Sequence, residues 1–450
     1  MTIRHTLLAI LLLAHSALAQ WVRRTDVGSP GQRTGHAMAY DKDRGVTVFF
    51  GGEIGPGGGE SYFDDTWEYD GIQWRHITIT GTGPDNRSGH AMCYDTVRHE
   101  VLLSGGVNED GYLRDCWAYH STGPGQGVWT PRPHLPNMYY GGGIAGHAMV
   151  FDESAGCAVV TGGSAYYDLW YDVYGDGRVG ISYIFSYDGT AWSNKGVMPE
   201  NRSRHAMAYD RGLGRAVLFG GRYLASPKPG DDLQAFRDRI NNRGRDDYNL
   251  GYMLTVEVEE TDAHRLAFGS ISPAPTQQSA MVYDELRERL VIFGGVGAYG
   301  STLFELQANP AYPNDPVWYP GSRVYVYWNA VALNLPVSPS SRAGHSMVYD
   351  SRRHVTVMVG GASGGTRFDD TWELPSIPAT GPTWVDFNHV GGNFGSAQFP
   401  FTTLAQAVRA ASIANRDISI VGPRATSETI TIRDAMTLRA VGGPITIGRR

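Results

Sequence analysis

Residues 36–52 set a pattern that much of the chain repeats. His36-Ala37-Met38-Ala39-Tyr40 alternates large and small side chains. That period of two suits a strand packed between unequal surfaces. Residues 42–45 are polar and turn-like, and Val46 to Phe50 is a solid apolar run rich in β-branched and aromatic residues. Such a run predicts a strand buried on both faces. Gly51-Gly52 ends it, where a side chain would obstruct a sharp turn or a close neighbour. Asp65-Thr66-Trp67-Glu68-Tyr69-Asp70-Gly71 then reads as a third strand closed by an Asp-Gly turn, and residues 73–77 as a fourth.

The pattern recurs six times. An aromatic residue and an Asp close the first strand, and ten residues after that Asp stands Gly51, Gly105, Gly162, Gly220, Gly294 or Gly360, each followed by a second Gly. A Met lies three residues before each Asp: Met38, Met92, Met149, Met207, Met281 and Met347. Successive copies are 54 to 74 residues apart, a period that marks a repeat architecture. The later half of the unit returns as Cys116-Trp117 with Trp129, Tyr187-Asp188-Gly189 with Trp192, and Asp370-Thr371-Trp372. Repeats four and five keep only the first two strands legibly. Repeat five carries Ser279 where five others carry His36, His90, His147, His205 and His345.

Four antiparallel strands per unit, arrayed around a ring, make a β-propeller. Arg-x-Gly-His-x-Met-x-Tyr-Asp, an apolar strand, Gly-Gly and Asp-Thr-Trp-Glu-Tyr-Asp-Gly-x-x-Trp resemble the bacterial kelch repeat over roughly residues 20–380. The resemblance implies an all-β, six-bladed kelch-type propeller across residues 20–383. A ring must close or leave bare edges. Trp21-Val22-Arg23 precedes repeat one much as Trp74 precedes repeat two, so this N-terminal segment is expected to supply the outer strand of blade six. The rival closer, Trp384-Val385-Asp386, fits better with the C-terminal segment.

After residue 383 the pattern changes. Leu404, Ala407, Val408 and Ala411 fall at helical spacing, with Thr402 or Thr403 as a cap. Short strands are expected at 418–421, 430–432, 437–440 and 445–447. Gly-Ser-x-x-x-Pro-Phe-x-Thr-Leu-x-x-Ala-Val, then Glu-Thr-Ile-Thr-Ile and Thr-Leu-Arg-Ala, resemble the opening of pectin-lyase-like right-handed parallel β-helices. Residues 384–450 are therefore expected to form a short, incomplete parallel β-helix segment with a capping helix.

Composition narrows the partners. Net charge is -7 with no basic block, which argues against nucleic acid. Gly numbers 58 in 450 residues, well above the ordinary share, in keeping with many tight turns. Arg4, an apolar stretch over residues 7–13 and Ala17-Leu18-Ala19 read as a signal peptide over residues 1–19. The expected destination is secreted, periplasmic or cell-surface, with no membrane span after cleavage and a monomeric state. Only Cys93, Cys116 and Cys157 occur. Cys93 fills a slot held by Ala or Val in the other repeats, and Cys116 should lie two strands away, too far for a relaxed disulfide.

Candidate chemistry is sparse. The five recurring histidines suggest a metal ring, but a slot that belongs to the repeat is expected to hold them far apart, one per blade. A neutral imidazole there can bond a backbone carbonyl or a neighbour's carboxylate. The recurring Asp is expected to cap its turn. Asp172 and Asp176 lie in a decayed calcium loop whose third and twelfth positions, Tyr174 and Tyr183, lack the oxygen ligands calcium needs. The same insertion is aromatic, and Tyr166, Tyr167, Trp170 and Tyr171, with Tyr139 and Tyr140, are candidates for stacking on a sugar. A second, charged insertion spans about 222–252. The expectation is a binding protein that recognises a glycan or a protein and carries no cofactor except a possible calcium ion. The alternative is a carbohydrate-active enzyme, either a copper oxidase resembling galactose oxidase or the front end of a β-helix polysaccharide lyase.

Overall fold

The structure, a computed structural model, describes residues 20–55, 61–137, 142–166, 178–223, 253–256, 263–268, 276–296, 301–308, 327–333, 335, 337–376, 383–386, 417–421, 424–426, 437–441 and 445–447. Every regular element among them is a strand. The chain divides into two compact units, one built on Trp21–Ser376 and one on the strands beyond residue 377.

In the first unit the strands fall into antiparallel meanders. The first comprises Ala37–Asp41, Val46–Phe50, Thr66–Tyr69 and Trp74–Ile79, paired in that order. The apolar run Val46–Phe50 sits second, flanked by strands on both sides, and Val48, Phe49 and Phe50 are fully buried. The same order recurs from Ala91–Asp95, from Ala148–Asp152, from Ala206–Asp210 and from Ala280–Asp284. The sixth group begins at Ser346–Asp350 and continues through Val355–Val359 and Thr371–Pro375. Its outer strand is Val22–Arg24, paired antiparallel with Thr371 to Glu373. Trp21 packs on Phe293 of meander five at 5.6 Å, as Trp129 of meander two packs on Phe50 of meander one at 5.4 Å. Trp21 thus occupies the outer-strand tryptophan position of the sixth group.

Meanders four and five are complete, although the sequence leaves their outer halves unread. Met253–Val256 and Ala263–Phe268 finish the fourth, and Leu303–Ala308 and Tyr327–Leu333 the fifth. These strands lack the Asp-x-Trp and Asp-Gly signals that mark the others, so only their pairing reveals them.

The first strands touch one another in chain order, and the sixth touches the first. A belt of backbone hydrogen bonds ties their leading ends. The N–H of Gly35 donates to Gly344 O (3.0 Å), Gly89 to Gly35 (2.8 Å), Gly146 to Gly89 (2.7 Å), Arg204 to Gly146 (2.6 Å), Gln278 to Arg204 (2.8 Å) and Gly344 to Gln278 (3.1 Å). These bonds run head to tail and return to their start. All of these residues hold φ between 57° and 67°, the left-handed region. A second set joins the same neighbours. The second Gly of each pair donates to the next meander, Gly52 to Arg87 O at 2.9 Å and so on to Gly361, which donates to Arg33 O at 3.1 Å.

The recurring residues explain themselves at these junctions. A Cβ on Gly105 would lie 2.8 Å from His147 Cε1, and one on Gly360 would lie 2.8 Å from His36 Cε1. The second glycine faces the histidine of its own meander, with a Cβ on Gly106 coming 3.1 Å from His90 Cβ. The Gly-Gly pair is therefore a socket between two histidines, and it has room for no side chain. The recurring methionines fill the seam beside it. Met92 packs with Val48 and Phe50 of the preceding meander, and Met38 with Val348 and Val357 of the sixth. At the other strand end each Asp accepts from its own turn, as Asp41 does from the N–H of Asp43 (3.1 Å) and Arg44 (3.0 Å). The recurring tyrosine crosses to the turn before it, and Tyr40 Oη donates to Asp350 at 2.5 Å.

The second unit is parallel. Thr383–Val385, Asp417–Val421 and Thr437–Val441 form one sheet, and Arg424–Thr426 with Ile445–Ile447 another. Asp417 pairs with Thr437 and Arg424 with Ile445, a spacing of 20 to 21 residues. Ile418 and Ile420 are buried. Thr383 is already paired in this unit, so its first strand starts just before the expected boundary. Arg424–Thr426 is not among the expected strands. The expected helix over 405–414 and strand at 430–432 lie outside the described residues.

Candidate functional site

The first strands run side by side, so their leading ends meet around one axis. There they enclose a cavity of about 490 Å³, lined by residues from every meander of the first unit. All five recurring histidines line it. They share this lining one per meander, in five of the six meanders. Strands packed around an axis converge, and the slot sits at the converging end.

Three of the five histidines also reach back to the residue before the preceding Gly-Gly pair. His36 Nε2 meets Val359 O at 3.2 Å, His147 Nε2 meets Ser104 Oγ at 2.9 Å, and His205 Nε2 meets Thr161 Oγ1 at 2.9 Å. Burial pushes His36 and His345 down to about 3 and His147 to about 4, with the nearby Arg33 and Arg342 guanidiniums adding to the first two. His90 and His205 are lowered as well, first by burial and then by Arg87 and Arg202. The ring is therefore uncharged at neutral pH. The Nδ1 of each of the five is buried without a hydrogen-bond partner. Among the described residues no group of three or more His, Cys, Asp or Glu side chains is placed to hold a metal ion.

The arginines three positions before the histidines are structural girders. Arg342 Nη1 donates to Gly360 O at 3.0 Å, and its guanidinium grips both oxygens of Asp370. Trp372 Nε1 donates to the same carboxylate at 2.7 Å. Arg87 with Asp115 and Trp117, and Arg33 with Asp65 and Trp67, repeat the arrangement. This pairing explains why Asp-x-Trp follows the Gly-Gly pair, a link the sequence alone does not disclose.

The far ends of the first strands, about 17 Å away for a five-residue strand, are closed by charge. The residues after the recurring Asp are Lys42, Glu153, Arg211 and Glu285 in meanders one, three, four and five. Lys42 Nζ sits 2.7 Å from Glu153 and 3.3 Å from Glu285, and Arg211 sits 2.5 Å from Glu153 and 2.7 Å from Glu285. Opposite charges thus bridge across the axis. The alternation of sign at that one slot is visible in the sequence once the repeats are aligned.

The sixfold regularity breaks at the cavity. The belt position is Gly35, Gly89, Gly146 and Gly344 in four meanders but Arg204 and Gln278 in the fourth and fifth. Both keep the left-handed conformation, with φ of 57° and 59°. Beside Gln278, Ser279 replaces the imidazole, and its Oγ is buried without a partner. Glu53, Tyr62 and Tyr112 line the cavity from meanders one and two.

Of the other candidates, Tyr167, Trp170, Tyr171, Asp172 and Asp176 lie outside the described residues, as do Tyr139 and Tyr140. Tyr166 ends a short strand, Ser164–Tyr166, paired with Arg178–Gly180. Cys93, Cys116 and Cys157 are buried free thiols, and the first two lie on strands flanking a common neighbour.

No protein-family model matches the chain. A solved structure described as the structure of YjhT is similar at 15% identity, covering 77% of this chain and 96% of that one, with a TM-score of 0.48.

Proposed function

We propose that the chain is an exported, six-bladed β-propeller of the kelch type followed by the opening of a right-handed parallel β-helix. We further propose that it works as a binding protein for a glycan or a protein rather than as a catalyst. The blade reading draws on the six belt bonds that return to their start and on Val22–Arg24 as the outer strand of the last blade. The helix reading draws on strands that pair in parallel, at a spacing of 35 residues for the first step and 20 to 21 for the later ones.

One observation carries the functional reading. Recurring His and Tyr side chains are engaged in joining one blade to the next, and the recurring Arg and Asp brace their own blade. What remains is a stiff frame that presents an open cavity at one end and insertions at blades three and four. Such a frame suits recognition, because little conformational entropy is lost on binding. A glycan array and a pull-down from extracellular extract, both with the chain from Gln20 onward, test it. Saturable binding to a defined glycan or protein is expected. Turnover of a carbohydrate without stable binding would replace this reading with an enzymatic one. Export is tested by N-terminal sequencing of protein from the culture medium, which should begin at Gln20.

A further inference from the structure

Resting on the export reading, we propose that Gln20 is a modification site. Once the leader is removed, it cyclises to a pyroglutamyl lactam, which ends the sixth meander's outer strand in a neutral amide. Its place in the fold carries the argument. Val22 stands opposite Glu373 and Arg23 opposite Trp372, as Arg75 stands opposite Glu68 and His76 opposite Trp67. By that register Trp21 answers to Trp74, and Gln20 to Gln73. Trp21 is 1% exposed and Val22–Arg24 is paired, whereas Gln20 is exposed. One exposed residue therefore separates the expected cleavage point from the strand that completes the sixth meander.

Other meanders show what this slot holds. The N–H of Gln73 donates to Asp70 Oδ1 at 2.9 Å, and the N–H of Ala191, before Trp192 of the third meander, donates to Asp188 Oδ1 at 2.8 Å. Both nitrogens are neutral amides held by the aspartate of an Asp-Gly turn. The sixth meander draws its outer strand from the other end of the chain, and the sequence before Trp21 holds no Asp. Cleavage before Gln20 would put an α-ammonium in the slot, since such a group titrates at about 8. That cation would lack the turn carboxylate and would stand just ahead of Arg23 and Arg24, and like charges disfavour the charged form. Cyclisation removes the charge and leaves one amide N–H, the donor that Gln73 and Ala191 present. The step needs only the residue's own atoms. The α-nitrogen, as free base, attacks the side-chain Cδ. The N–Cδ bond forms, the Cδ–Nε2 bond breaks, and ammonia leaves with a proton from the attacking nitrogen. Both groups sit on one residue, so their effective concentration is high, and nothing from Trp21 onward has to move. The lactam also denies an aminopeptidase the residue that shields Trp21.

The test is mass spectrometry of the tryptic terminal peptide, residues 20–23, from the chain expressed with its leader and quenched in acid as it leaves the medium. The peptide should be lighter than Gln-Trp-Val-Arg by one ammonia, and its terminus should not react with an amine reagent. Gln20→Asn keeps the carboxamide but would have to close a strained smaller ring, so its peptide should keep both its mass and its amine. A broad aminopeptidase should spare the native chain and shorten the variant by one residue, and the native chain should melt at the higher temperature. Unmodified Gln20 as the main species overturns the proposal, as do equal melting and equal aminopeptidase resistance of the two chains. A terminal peptide that starts at another residue overturns the expected export cleavage instead, so the two failures are told apart.

Discussion

Replacing Gly360 with alanine tests the socket directly, because Gly214 offers a matched control. Both residues hold φ at 66°, so the backbone penalty of an alanine is the same at each. That penalty is about 1–2 kcal/mol for a non-glycine residue in the left-handed region. At Gly214 nothing lies within 4 Å of the added methyl, whereas at Gly360 it would meet His36 Cε1 at 2.8 Å and Arg33 O at 3.0 Å. Forcing a methyl into a filled seam adds about 1–3 kcal/mol. Gly214→Ala should therefore cost about 1–2 kcal/mol and Gly360→Ala about 2–5 kcal/mol. Urea titrations of the full chain, followed by tryptophan fluorescence, give both values from their midpoints. Combining Gly360→Ala with His36→Ser should recover most of the difference, since the ring that clashes is then gone. Equal losses at the two glycines, or no recovery in the double variant, would refute the claim that the pair seats a neighbour's histidine.

The same junctions carry other consequences. The folded histidines titrate far below their ordinary value of about 6.5, so below that pH the unfolded chain binds more protons. Stability should be full above about pH 6.5 and fall steadily toward about pH 4, apart from Asp210. Burial raises that carboxyl to about 6 and opposes the trend by one proton. His345→Ser should reduce the proton uptake on unfolding by about one, read from the pH dependence of the urea midpoint. Asp370→Asn strips the partner from Arg342, whose side chain is fully buried, and should cost about 3–5 kcal/mol in the same titration. The three thiols should ignore a thiol reagent in the native protein and all react after denaturation. Burial raises Cys93 and Cys116 well above the usual range and pushes Cys157 up to about 11.

The first two strands of each repeat were legible because they are buried on both faces and must be apolar, small-large patterned and glycine-terminated. Outer strands were legible only where Trp marks them. In meanders four and five the marker is gone, and strands such as Ala263–Phe268 are recognisable only by their partners. The cavity was not legible for a different reason. Histidines 54 or more residues apart look independent along the chain, and only ring closure brings them to one axis. The break in the repeat was on view from the start as Ser279 in a histidine slot. Its meaning required knowing that the slot faces an interior space. The ionic closure at the far end was equally visible and equally mute until Lys42, Glu153, Arg211 and Glu285 were placed on one axis.

Amide hydrogen exchange across the belt tests closure of the ring most directly. The N–H groups of Gly35, Gly89, Gly146, Arg204, Gln278 and Gly344 are each held by the neighbouring meander. If the ring is closed, all six should exchange slowly and lose protection together as urea is raised. Fast exchange at Gly35 alone, with the other five protected, would mean that the first and last blades do not meet, and the account of a closed wheel would fail.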